Sequence, residues 1–272
     1  MTPPSTNPPI HDPIYVTGGG GGGDFPPPPY TGDMSGGPML HGGGTRTPDP
    51  CKKTKTILDN PALHDKVDTL KGKVNIDGAN EFGFKVKMDG STTNVTEGKK
   101  REWDVGSLQG IKGFYHSHPG PGINIFSPPD IQSLFTNIIT SGSPSTVSDI
   151  FIGVIGSENF QGGVKYFHYI IRYNGSIQDA GTISSANYDM NSIVLGYSRR
   201  ENELASILPV SPYSDNDGAT LNHKGVEQLF FDILDNMNIN KNKMILQRVD
   251  DNGSVNTITL NSDGTTTLIP CP

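Results

Sequence analysis

From residue 51 onward the chain alternates between two hydrophobic periods. Leu58, Leu63, Val67 and Leu70 recur at helical spacing across residues 51–71, which predicts an amphipathic helix. Asn60-Pro61 breaks and restarts it, with Asn60 as N-cap and Pro61 at the first helical position, and Gly72 marks its end. Phe82, Phe84, Val86 and Met88 then alternate with Gly83, Lys85 and Lys87, predicting a half-buried strand that stops at an Asp89-Gly90 turn. Residues 91–109 are polar and loop-like, with Trp103 as an anchor. Residues 110–118 read as a strand carrying Ile111, Phe114 and Tyr115, and Pro119-Gly120-Pro121-Gly122 makes a stiff, sharp loop out of it. Ser127-Pro128-Pro129-Asp130 has the form of a helix start: Ser127 is a good N-cap, Pro128 suits N1, and Asp130 puts an acid at N3. Ile131, Leu134, Phe135, Ile138 and Ile139 supply that helix's apolar face.

The second half continues in the same way. Residues 149–156 form a short apolar run, expected to be a buried strand, and residues 164–173 a longer alternating one. Asn174-Gly175 reads as a hairpin-type turn into a further strand over residues 176–183. A helix is predicted over residues 185–205 and another over 222–236. Residues 243–249, 254–260 and 265–269 close the chain as an antiparallel meander turning at Asn252-Gly253 and Asp263-Gly264. The expected fold is a mixed α/β (α+β) domain, with a mainly antiparallel sheet flanked by helices. His64, His168 and His223 are expected to be ordinary surface or packing residues, His223 exposed.

Composition changes the picture at the N-terminus. Residues 1–50 hold twelve Gly and twelve Pro, which predicts a disordered tail or linker ahead of one domain over residues 51–272. The net charge is −7 and no basic cluster stands out; Lys99-Lys100-Arg101 is short and followed by Glu102, so a nucleic-acid partner is not expected. No apolar run approaches the ~20 residues of a membrane span, and no signal peptide is visible at the N-terminus. The two cysteines, Cys51 and Cys271, bracket the expected domain. They are either unrelated thiols or a disulfide clasping its ends, and a disulfide would imply an oxidising, secreted or extracytoplasmic setting.

The candidate chemistry lies in Tyr115-His116-Ser117-His118-Pro119 and Ser127-Pro128-Pro129-Asp130. Residues i and i+2 of a strand share a face, so His116 and His118 present two imidazoles side by side. Asp130 can close a third corner, and two nitrogens and one oxygen with an open fourth position describe a catalytic zinc site. A local cap explains Ser127 and Asp130 equally well.

His-x-His-Pro followed by Ser-x-x-Asp, with a Glu upstream at a strand start, resembles the JAMM motif of MPN-type (JAB domain) zinc metalloproteases. That family includes deubiquitinating isopeptidases and bacterial relatives. The resemblance covers roughly residues 81–135. Eight residues separate His118 from Ser127, one more than is usual in the family. The resemblance implies that His116, His118 and Asp130 bind Zn2+, that Ser127 supports the oxyanion, and that Glu81 is the general base. Glu97 and Glu102 compete with Glu81 but sit in loop-like sequence. The implied activity is hydrolysis of peptide or isopeptide bonds in a protein or peptide substrate. The alternative is a non-catalytic MPN-like binding module or tethered effector domain. No Gly-x-Ser-x-Gly occurs, so a nucleophile-elbow hydrolase is not favoured.

Overall fold

Alternating burial sorts the chain into strands β1 (Phe82–Lys87), β2 (Thr96–Glu97), β3 (Ile111–His118), β4 (Phe151–Phe160), β5 (Gly163–Tyr173), β6 (Met244–Val249), β7 (Val255–Leu260) and β8 (Thr266–Pro270). Helices are α1 (Pro50–Leu58), α2 (Pro61–Val74), α3 (Pro128–Ser141), α4 (Ile177–Ser184), α5 (Met190–Ala205) and α6 (His223–Asn236). These come from a computed structural model that describes residues 49–74, 80–119, 123–160, 163–206, 211–215 and 220–272. The expected disordered tail lies outside the described residues up to residue 48, as do residues 120–122 of the Pro/Gly loop.

The strands form one eight-stranded sheet in the order β2-β1-β3-β4-β5-β6-β7-β8. Every pairing is antiparallel except β3 with β4. A parallel pair needs a crossover, and α3 lies in it, so the histidine strand and the Asp130 helix belong to one β-α-β unit. The expected mixed, mainly antiparallel sheet flanked by helices is what the structure shows.

Helices cover both faces. On one, Ile57 of α1 and Leu63, Val67 and Leu70 of α2 pack on Phe84, Tyr115, Phe151 and Ile170. On the other, α3, α5 and α6 bring Leu134, Phe135, Tyr197 and Phe230 onto Phe114, Val154, Phe167 and Leu246. The central strands are therefore buried on both sides, and β3 carries five consecutive buried residues, Gly113 to Ser117. Ile131, Leu134, Phe135 and Ile138 of α3 are all 0 % exposed. At ~1.5–3 kcal/mol for each fully buried side chain, this face fixes the helix whose first turn holds Asp130.

Four expectations change. Residues 177–184 form helix α4, not a strand: Ser176 accepts from the Asp179 N–H at 3.1 Å, and the Asp179 side chain returns the bond. Gly175 is a close-approach glycine, since a Cβ there would lie 2.3 Å from the Tyr173 ring. Helix α2 runs through Gly72 to Val74, and short β2 occupies part of the stretch read as loop. His223 is half-buried, its Nδ1 2.9 Å from the Tyr169 hydroxyl.

Of the two readings of the cysteines, the structure shows the disulfide. Cys51 in α1 is bonded to Cys271, with Cα atoms 5.5 Å apart. The Lys55 ammonium donates to the Cys271 and Pro272 carbonyls beside it. Among the described residues no helix is long and apolar enough to cross a membrane.

Candidate metal centre

The site is built from three pieces of backbone. The first is β3, where His116 lies opposite Gly83 of β1 and Val154 of β4. Alternation turns Tyr115 toward α2 and turns Phe114 and His116 toward α3. His116 is 3 % exposed and its ring stands 6.3 Å from that of Phe114.

The second piece holds Glu81, the residue just before β1. Its N–H donates to the Lys99 carbonyl at 3.0 Å and its carbonyl accepts from Gly98 N–H at 2.8 Å. The Trp103 backbone N–H lies near its carboxylate and slightly favours the charged form. Trp103 is itself fixed, with its indole over Gly83, where a Cβ would lie 2.4 Å from the ring, and its Nε1 donating to Thr96 Oγ1 at 3.0 Å. The expected anchor thus holds the segment that clamps Glu81.

The third is the N-terminus of α3. Ser127 has extended backbone (φ −78°, ψ 163°) and caps the helix, with Pro128 in the first turn. Asp130 Oδ2 accepts from the Ser127 N–H and from the Ser127 hydroxyl, both at 2.7 Å, while Oδ1 lies 3.1 Å from His116 Nε2.

These pieces converge. His116 Nε2 and His118 Nε2 are 3.0 Å apart, and His118 Nε2 is 3.6 Å from Asp130 Oδ2. A carboxylate oxygen of Glu81 and one ring nitrogen from each histidine lie within 4.8 Å of one another. Comparison with family models, curated proteins and solved structures finds no match.

The donor set fits a metal ion. A carbonyl can only accept, so the 3.0 Å contact of His118 Nδ1 with the Ile123 carbonyl makes Nδ1 the donor. In the neutral ring that leaves a lone pair on Nε2, facing His116 and Asp130. Lone pairs and a carboxylate at these separations can be bridged by shared protons or by a metal cation among them. Four donors about 2.0–2.1 Å from a tetrahedral zinc would be about 3.3 Å apart; the separations of 3.0, 3.1 and 3.6 Å bracket that value. Glu81, His116 and His118 are accordingly a group that can hold a metal ion, with Asp130 in contact with both imidazoles.

Without a metal, protons take the same place. Burial disfavours a charge on His118, but Asp130 and Glu81 outweigh it and lift the imidazole to about 9. Burial would raise Asp130, yet the two histidines hold it well below the ordinary carboxylate range. Burial raises Glu81, and the histidines only partly offset this. A carboxylate with weakened hold on its charge is a better proton acceptor than an exposed one.

Of the competing acids, Glu97 is exposed and bonds Asn80 at 2.8 Å, and Glu102 pairs with Lys99 at 3.7 Å; neither joins the histidines. Ser127 is brought to Asp130, with its hydroxyl proton directed at Oδ2, so donation to a substrate oxygen would require that hydroxyl to turn. Sequence reasoning missed the Trp103 N–H, the Ile123 carbonyl and Tyr197. The Tyr197 hydroxyl donates to Phe126 O at 3.0 Å, pinning α5 to the segment before Ser127. Backbone donors and acceptors leave no mark in sequence, and Tyr197 is one apolar-face residue of an amphipathic helix.

Proposed function

We propose that this protein is a zinc-dependent hydrolase of peptide or isopeptide bonds, of the JAMM/MPN type that its motif resembles. The observation that carries the reading is the meeting of four side chains from three separate segments. His116, His118 and Asp130 stand at 3.0–3.6 Å, with Glu81 beside the histidines. A helix cap alone would account for Ser127 and Asp130; it would not bring Glu81 and two imidazoles to the same place.

In this reading His116, His118 and Asp130 hold the zinc. When bound, zinc supplies Lewis acidity and an acidified water near neutral pH. Glu81 accepts a proton at its carboxylate and returns it to the leaving amine. The backbone bonds of Glu81 to Lys99 and Gly98 hold the residue in place, and burial raises the proton affinity of its carboxylate. Ser127 keeps Asp130 oriented through its N–H and hydroxyl.

Metal analysis of the purified full chain tests the reading. About one equivalent of zinc is expected, with loss in His116→Ala and Asp130→Asn. Glu81→Gln is expected to retain zinc and lose hydrolysis of quenched peptide and Lys-isopeptide libraries. A zinc-free wild type, or activity that survives Glu81→Gln, would overturn it, and folded protein without zinc would leave a binding module as the better account.

A further inference from the structure

We propose a second ligand site, for a phosphate-type oxyanion, in the basic cavity between α1 and the ends of β3, β4 and β5. The cavity measures about 210 Å³, and its charged lining is Lys52, Lys53, Lys112, Arg172 and Asp149. Four cations around one carboxylate stand out on a chain of net charge −7. A cleft lined by one sign of charge concentrates the opposite sign.

Arg172 lines the cavity as a buried cation without a countercharge among the described residues. It is 1 % exposed, yet it enters no ion pair among the described residues. Its Nη1 donates to the Asp149 carbonyl at 3.0 Å and its Nη2 to Thr54 Oγ1 at 3.4 Å, both neutral acceptors. Its Nε has no hydrogen-bond partner, and its guanidinium carbon lies 5.0 Å from the centre of the Phe151 ring. The one carboxylate lining the cavity, Asp149, is taken by Lys53 at 2.7 Å. A buried cation is costly unless paired, and here burial lowers Arg172 to about 10. Lys52 and Lys112 likewise make no ion pair among the described residues. An anion in the cavity would give Arg172 a countercharge and two ammonium groups a shared acceptor.

The chemistry favours phosphate over a single carboxylate. Two unpaired ammonium groups act as point donors to a dianion, and the guanidinium adds a third positive charge. The volume falls below the ~300–1,000 Å³ of drug-sized sites, which suits a small anion or one phosphoryl group. Lys112 precedes His116 by four residues on β3, roughly 13 Å at ~3.3 Å per residue, so this cavity is separate from the metal centre.

Isothermal titration of the full chain at constant ionic strength, with inorganic phosphate and separately with glycerol phosphate, tests the proposal. A single saturable site is expected, weakened at least tenfold in Lys52→Gln/Lys112→Gln, weakened less in the exposed Lys52→Gln alone, and unchanged in His116→Ala. Equal binding of both probes assigns the site to a phosphoryl group on a larger ligand, and binding of inorganic phosphate alone assigns it to the free ion. No saturable binding of either probe, binding indifferent to the lysine substitutions, or binding abolished by His116→Ala overturns the proposal.

Discussion

Ser127 and Asp130 hold each other through three hydrogen bonds: the serine N–H and hydroxyl both reach Oδ2 at 2.7 Å, and the Asp130 N–H returns to Ser127 Oγ at 3.4 Å. One capping box therefore both starts α3 and aims a carboxylate at two imidazoles. Ser127→Ala removes a cap worth about 1 kcal/mol and the hydroxyl bond to Oδ2 while the backbone N–H bond stays; losing one orienting partner is expected to weaken metal binding about tenfold, the lower end of the ~10–100-fold range for such partners. The expected outcome is a small drop in the urea midpoint with a disproportionate loss of zinc in competition against a chelator, both recovered in Ser127→Thr. Equal zinc affinity in wild type and Ser127→Ala would separate the cap from the site.

Tyr115 lies directly opposite Gly153, and a Cβ on that glycine would stand 2.0 Å from the tyrosine ring. The ring cannot retreat: it stacks on Phe84 at 5.4 Å and meets Phe151 and His168 edge-on. Gly153→Ala is expected to destabilise by about 2–3 kcal/mol through overpacking, and the neighbouring His116 makes a fall in bound zinc a second readout. A denaturation midpoint within error of wild type would show that the ring has room to move.

His168 is buried, and burial, with a smaller push from Lys71, holds its imidazole at about 3. The folded ring is neutral while an unfolded one charges below about 6.5. Between those values the unfolded chain binds more protons, so stability is full above pH ~6.5 and falls as pH drops toward 3. The loss from this residue reaches about 2 kcal/mol by pH 5. Urea unfolding at pH 7.5 and pH 5 in wild type and His168→Gln measures it; the pH-dependent drop should shrink by that amount in the variant. His223, lowered to about 3 chiefly by burial, acts in the same direction, while His118, lifted to about 9, acts in the opposite one.

The Cys51–Cys271 bond closes a loop of 220 residues, worth about 5 kcal/mol on the chain-entropy view. Reduction, or Cys51→Ser with Cys271→Ser, is expected to lower the urea midpoint markedly while leaving zinc binding by the folded protein, as proposed for the candidate metal centre, unchanged. An unchanged midpoint would mean that packing of α1 on β7 holds the ends unaided.

The local parts of the site were readable because its residues obey local rules. His116 and His118 share a face by strand period alone, and Ser127, Pro128 and Asp130 occupy N-cap, N1 and N3 by residue type. The same Ser-x-x-Asp signature stands at Ser176 and Asp179, where Asn174-Gly175 suggested a hairpin; the cap prevailed and α4 formed. Gly175 has no positive φ, so the primed turn that Asn-Gly favours was never made. The parallel pairing of β3 with β4 was not readable, because pairing partners are set by tertiary packing. Neither was the clamp on Glu81, which depends on the backbone of residues 98–103 folding back under Trp103.

The disulfide has a mechanical consequence. Tension arriving through the segments that flank Cys51 and Cys271 passes from one to the other across a single covalent bond. The sheet, the helices and the His116–His118–Asp130 cluster lie on the slack side of that bond. A pull on the chain ends would leave the domain and its candidate metal centre unloaded until the disulfide is reduced.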